Sequence, residues 1–236
     1  LLEKNKGGRL SEKDLQFLGR ISENGKHLLS LINEILDLSK IEAGRMEVTE
    51  EGVDVEELIR ETAQQLAPQA RDGVRLGIKT SLEELEEEGE DPSTQTVDVD
   101  DPAIRGDAAD APSLLHTDGA RLRQILVNLV SNALKFTHEG KVVIRLRQGV
   151  GGAPYAVSVE DTGIGIPEDQ LANIFEAFQQ ADSGTARRYT GTGLGLSITR
   201  SLCEMLGFEL TVESTVGEGS IFTVYFQPTA DSSAQK

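Results

Sequence analysis

Apolar and polar residues recur along this chain with two periods, and the changes of period mark its elements. Between Ser11 and Ala43, the residues Leu18, Ile21, Gly25, Leu28, Ile32, Ile35 and Ser39 repeat at an average of about 3.5. Leu29, Leu31, Leu36 and Leu38 widen that face, so the spacing predicts a long helix suited to a bundle. Ser11 and Glu12 fit its start and Gly44 its stop. Beyond it, Met46–Val48 reads as a short strand. Val55–Ala70 reads as a second helix with Leu58, Ile59, Ala63 and Leu66 inward. Strands are predicted at Arg75–Lys79 and Ser113–Thr117. In Lys141–Arg147, Val142, Ile144 and Leu146 share one face. In Tyr155–Glu160, Tyr155, Val157 and Val159 share a face that Asp161 continues and ends. Phe208–Glu213 and Ile221–Phe226 read as a pair of strands. The sum is an α/β two-layer sandwich, a mixed sheet with helices on one face, preceded by a long helix.

The helix predicted at Gly119–Phe136 carries the chemistry. At ~100° per residue, Arg121, Gln124, Asn128, Asn132 and Lys135 fall on one narrow face. Leu122, Ile125, Leu126, Leu129, Val130, Ala133 and Leu134 occupy the rest. A helix this apolar is buried on most sides, so its polar stripe must meet something wet or charged. Asn is a poor helix former, and two at i,i+4 point to use rather than to solvation.

Three glycine clusters follow. Asp161-Thr162-Gly163-Ile164-Gly165-Ile166-Pro167 closes the strand that ends at Asp161. Gly191-Thr192-Gly193-Leu194-Gly195-Leu196 opens an apolar helix to about Leu206. Gly217 and Gly219 precede the last strand. Glycine turns let a ligand approach the backbone, and a turn entering a helix presents free N–H groups and a positive dipole end, which suits phosphate. Each cluster alone is an ordinary turn; the ordered set of Asn, Asn, Lys, Asp and three glycine turns is not.

In these motifs the chain resembles the catalytic, ATP-binding domain of sensor histidine kinases, within the GHKL ATPase superfamily. The N box is RLRQILVNLVSNALKFT, the first glycine box DTGIGIP and the F box Phe175-Glu176-Ala177-Phe178. GTGLGL and GEGSIF are the second and third glycine boxes. The earlier HLLSLINEILDLSKIEAG, His27 to Gly44, resembles the second helix of the dimerisation and phosphotransfer hairpin. The resemblance implies a Bergerat-type ATP-binding fold over residues 46–230 and a partial dimerisation segment over residues 1–45, with a tail at 231–236.

The resemblance also implies roles. Asp161 accepts the exocyclic amine of adenine. Asn132 is the ligand of Mg2+, with Asn128 helping that shell. Lys135 neutralises phosphate charge, and Phe136 flanks the nucleotide. Gly163, Gly165, Ile166 and Phe222 are implied to be cofactor-binding residues. Gly191, Thr192, Gly193, Leu194, Gly195 and Leu196 bring the next helix to the phosphates. Gln179–Thr190 looks like the ATP lid, with Arg187 and Arg188 as candidate γ-phosphate contacts. The implied function is transfer of the ATP γ-phosphate to a histidine on a dimerisation helix, in a homodimeric parent that serves a response-regulator receiver domain. The rivals are a GHKL ATPase and a nucleotide-sensing pseudokinase. Such ATPases carry a water-activating Glu where Asn128 stands.

Of the three histidines, His27, His116 and His138, none sits in a motif like H-E-L-R-T-P. The acceptor helix is therefore expected upstream of Leu1, in a longer parent protein. Composition narrows the partners. Lys and Arg total 23 against 40 Asp and Glu, a net charge of −17, which argues against nucleic acid and anionic membrane. The single cysteine, Cys203, cannot form an intrachain disulfide, and a cytoplasmic setting is expected. The largest departure from the family is an insertion at about residues 82–112. Within it Glu83–Asp101 holds ten acids and no base, which predicts a mobile, solvated loop.

Overall fold

The structure is a computed structural model and describes residues 11–82, 97–98, 114–149, 151–177 and 193–227. The chain divides into two units, Leu1–Met46 and Glu47–Lys236.

The first unit is the helix α1 (Glu12–Glu42). Ser11 Oγ accepts the Asp14 amide, and the Asp14 carboxylate accepts the Ser11 N–H. This capping box satisfies donors that a helix start leaves open. Ile21, Leu28, Ile32 and Ile35, predicted as one stripe, all stand exposed, Ile21 by 66%.

The second unit runs β1 (Glu51–Val53), α2 (Val55–Leu66), β2 (Val74–Leu82), β3 (Val97–Asp98), β4 (Leu115–Thr117), α3 (Gly119–Phe136), β5 (Gly140–Gln148), β6 (Pro154–Asp161), α4 (Glu168–Leu171), α5 (Gly195–Leu206), β7 (Glu209–Thr215) and β8 (Gly219–Tyr225). β1 and β4 form an antiparallel pair; the other strands form one sheet in the order β3-β2-β5-β6-β8-β7. β2 and β5 are parallel and the remaining neighbours antiparallel, so the sheet is mixed as expected.

Register explains the layering. Leu76 lies opposite Val142; Ile144 opposite Val159, Val159 opposite Phe222, and Phe222 opposite Val212. Because side chains alternate along a strand, this row forms one apolar face, and α2, α3 and α5 pack on it. Leu58, Ile59, Ala63 and Leu66 of α2 are buried there as predicted. The opposite face is polar. Arg145 Nε and Nη2 donate to the two Glu160 carboxylate oxygens at 2.7 and 3.2 Å, and Ser158 Oγ donates to Oε1. Burial works to raise the Glu160 pKa, but Arg145 and Ser158 hold it below the usual range.

Three expectations shift. Met46–Val48 forms no strand; the strand lies at Glu51–Val53, where it finds β4 as a partner. A run this short has no period to read, and pairing decides it. The helix expected to reach Ala70 stops at Leu66 and tightens into a 3-10 turn over Ala67–Gln69, because Pro68 has no amide proton for the ladder. Within the acidic insertion, Val97–Asp98 adds an antiparallel edge to β2, whose outer backbone groups otherwise stay unpaired. The rest of that insertion and the tail at 231–236 lie outside the described residues.

Candidate functional site

The helix α3 begins where Asp118 caps it. Asp118 Oδ1 accepts the Arg121 amide and Oδ2 the Thr49 amide, both at 3.0 Å. Burial acts to raise the Asp118 pKa, yet these amides and the Arg121 charge bring it below the ordinary carboxylate value. Along α3 the predicted division holds. Leu122, Ile125, Leu126, Leu129, Val130, Ala133 and Leu134 are buried, whereas Arg121, Gln124, Asn128, Asn132 and Lys135 are half-buried. Arg121 Nη1 donates to Gln124 Oε1 at 3.2 Å. The side chains of Asn132 and Lys135 make no hydrogen bond to a described residue. Lys135 Nζ lies 4.9 Å from the ring centre of half-buried Phe136. Loss of water lowers the Lys135 pKa, so its charge is held where a compensating anion is most effective.

At the other end of the stripe stands Asp161, the last residue of β6. Its Oδ1 accepts the Gly163 amide at 2.8 Å. Burial raises its pKa, opposed by the amides of Gly163 and Ser220. Asp161 faces Ser220 across β6 and β8. Behind them Ser214 Oγ accepts the Ile166 amide, donates to the Gly219 carbonyl, both at 2.8 Å, and lies 2.9 Å from Ser220 Oγ. The Gly217 amide donates to the Ile164 carbonyl at 2.9 Å. The first glycine turn is thereby fastened to the turn between β7 and β8. Gly165 is required in this joint: its φ is +68°, and a Cβ there would stand 2.0 Å from the Thr215 carbonyl oxygen. Sequence reading missed Ser214 and Ser220. The signal for Ser220 was its place in GEGSIF, directly across from Asp161 once the strands pair.

The third part is the start of α5. Gly193 has φ +70°, and among the described residues no side chain caps the helix. Leu194 is fully buried, so only its backbone can meet a ligand; Leu196 and Gly193 are half-buried. Asn128 reaches this helix directly. Its Nδ2 donates to the Gly195 carbonyl, and to Thr199 Oγ1 at 2.6 Å. A Cβ on residue 195 would lie 2.5 Å from Asn128 Oδ1, so this glycine makes room for an amide. Phe222, expected beside the nucleotide, is buried in the core; the Phe175 ring meets it edge-on at 6.5 Å. It shares the helix-covered face with Val224 and Val159. Phe178, Arg187, Arg188, Gly191 and Thr192 lie outside the described residues. Cys203 is buried with its pKa pushed up to about 12, by burial and then Glu204, and serves the core.

These parts lie along one line. Asn128 touches the start of α5, and the Phe136 carbonyl accepts the Ile164 amide at 3.4 Å. The intervening turns of α3 span ~12 Å at 1.5 Å per residue. The groups so arranged are a carboxylate acceptor at Asp161, half-buried amides and an ammonium along α3, and a start of α5 that no described side chain caps. Among the described residues, no group of His, Cys, Asp or Glu could hold a metal ion by itself. Asn132 offers a hard amide oxygen, which suits a cation that keeps most of its oxygen ligands from phosphate and water.

Comparison with known proteins places these features. Residues 117–230 match the model of the histidine kinase-, DNA gyrase B-, and HSP90-like ATPases. The chain is 40% identical, over 92% of its length, to the circadian input-output histidine kinase CikA of Synechococcus elongatus. It is 39% identical, over 91% of its length, to the sensory/regulatory protein RpfC of Xanthomonas campestris. In each case it spans 26% of the relative. The crystal structure of full-length ShkA in complex with AMPPNP aligns at a TM-score of 0.68 and 31% identity, covering 92% of this chain and 39% of ShkA. Motifs, fold and relatives agree: the chain belongs to the histidine kinase-, DNA gyrase B- and HSP90-like ATPase family, as a catalytic domain of the histidine-kinase type.

Proposed function

We propose that the cleft binds Mg-ATP and that the parent protein is an ATP-dependent protein-histidine kinase. The observation that carries this reading is the uncapped start of α5 held against the polar stripe of α3 by Asn128. Helix N–H groups left without a side-chain partner suit phosphate oxygens. ShkA, which shares the fold, takes the ATP analogue AMPPNP, and this supports the same ligand here. Asp161 accepts the adenine amine; Gly163, Gly165 and Ile166 shape that end through their backbone. Asn132 is the ligand of Mg2+ and Lys135 meets the phosphates. Bound there, the metal neutralises charge on the phosphate oxygens. The chain's own contribution is to orient ATP and exclude water, because phosphoryl transfer asks little covalent chemistry of the protein.

The acceptor is a histidine on a dimerisation helix, since none of His27, His116 and His138 stands in the family's acceptor motif. The exposed stripe of α1 supports assembly with a second copy, and a receiver domain of a response regulator is the downstream partner. No helix among the described residues is long and apolar enough to cross a membrane; a cytoplasmic site of action is part of the proposal. Asn128 favours transfer over hydrolysis, because an amide cannot take the proton of an attacking water as a carboxylate can.

The test is to incubate the chain with γ-labelled Mg-ATP and a separate hairpin bearing the acceptor histidine. Acid-labile, base-stable label on the hairpin is expected, with slow release of free phosphate. Rapid ADP formation with no label on histidine would support the ATPase reading instead.

A further inference from the structure

The Asn128 amide is held by more than one atom, and the arrangement has only one self-consistent orientation. Its Nδ2 donates to the Gly195 carbonyl and to Thr199 Oγ1. Thr199 is wholly buried, and its Oγ1 donates in turn to the Gly195 carbonyl at 3.0 Å. A hydroxyl has one proton. Thr199 gives that proton to Gly195, so toward Asn128 it can only accept. An amide nitrogen has two protons, and both are spent on α5. Turning the amide over would set Oδ1 against the Gly195 carbonyl with no proton between them, and Thr199 could meet it only by giving up its own bond to that carbonyl. Oδ1 therefore stays uncommitted, and among the described residues no donor meets it.

We propose that Thr199 is a positioning residue for the nucleotide site: its buried hydroxyl fixes the Asn128 amide so that Oδ1, and not the NH2 group, is offered to the hydrated cation that accompanies the phosphates. The proposal rests on the reading of the cleft as an Mg-ATP site. An oxygen acceptor attracts the outward protons of cation-bound water, and an NH2 group repels them. The same triangle ties the stripe of α3 to the first turn of α5. Any reorientation of Asn128 thus gives up two hydrogen bonds to α5. The second glycine box contributes through Gly195, whose bare Cα is what lets the amide lie against the helix. Thr199 itself reaches no ligand and acts through Asn128.

The test uses the whole chain and calorimetric titration with ATP, once with Mg2+ and once with a chelator, on wild type, Thr199→Val and Thr199→Ser. Valine keeps the shape and removes the hydroxyl; serine keeps the hydroxyl. Thr199→Val should bind ATP about three- to tenfold more weakly in Mg2+, the effect of one lost hydrogen bond, and within about twofold of wild type without metal. Thr199→Ser should match wild type in both. Equal loss with and without metal, or no loss in either, overturns the proposal. Wild type that binds no ATP, or binds it no better with Mg2+, sinks the nucleotide reading and the proposal with it. A measurement on wild type alone stands if the valine variant does not fold. Both side-chain NH protons of Asn128, followed by nuclear magnetic resonance, should exchange slowly with solvent. Fast exchange of both contradicts the locked amide.

Discussion

The starts of α3 and α5 lie in the same unit, and the two helices pack on each other, yet their first turns are treated in opposite ways. Asp118 occupies the start of α3, taking the Arg121 amide on one oxygen and the Thr49 amide on the other. Among the described residues no side chain caps the start of α5. Capping residues stabilise helices by about 0.5–2 kcal/mol, and α1 and α2 also have them, in Ser11 and Asp54. On the proposed function, an uncapped start beside a stripe of amides and an ammonium is where the fold gives up local stability for phosphate binding. The contrast separates a helix start that belongs to folding from one that belongs to function, and substitutions at the two should have different consequences.

The largest effect is expected at α5. Gly195→Asp places a carboxylate among the donors that the phosphates need and against the Asn128 amide. Like charges in contact cost several kcal/mol, so ATP affinity should fall by more than about 100-fold, measured by titration calorimetry. Binding within about tenfold of wild type would mean that phosphate does not sit at this helix start. Next is Asn132→Ala. It should lower ATP affinity about tenfold in Mg2+ and scarcely at all with a chelator, since the lost oxygen serves the ion. Equal losses under both conditions would make Asn132 structural.

The smallest effect on binding is expected at α3. Asp118→Ala should lower unfolding stability in urea by about 0.5–2 kcal/mol and leave the ATP affinity of the folded protein within about twofold. Acid should expose the same residue. The folded Asp118 pKa lies below its ordinary value, so its contribution is present above that ordinary value, about 3.9. It is lost as pH falls through the depressed folded value. The variant should therefore show a flatter acid limb than wild type. A steeper one contradicts the cap.

Much of this contrast was legible in the residues. The apolar period locates α3 from Gly119, though not its Asp118 cap, and Asn128, Asn132 and Lys135 fall on its half-buried polar stripe because 3.6 residues per turn leaves little choice. Asp161 was legible as the end of an alternating strand. Other features depend on pairing that no local window contains. Ser214 and Ser220 lie just outside the predicted strands Phe208–Glu213 and Ile221–Phe226, and gain their contacts only once β7 and β8 align beside Asp161. Nothing in its own segment marks Thr199 until Asn128, far away in sequence, lies across it. Phe222 and Leu194 sit among site motifs, and both are buried because the helices on the sheet cover the face that each presents. Glu51–Val53 includes Gly52, a weak strand former, and becomes a strand only because Leu115–Thr117 lies alongside.

The central claim is that the line from α5 to Asp161 is one nucleotide site, with adenine at the Asp161 end. The most direct measurement is the Mg-ATP affinity of Asp161→Ala against wild type, with the fold of each checked by circular dichroism. Removing the acceptor leaves the adenine amine without a partner, at a cost of about 1–3 kcal/mol. The account predicts native circular dichroism and an ATP affinity weakened about 5- to 150-fold. A folded variant that binds Mg-ATP as tightly as wild type would contradict it.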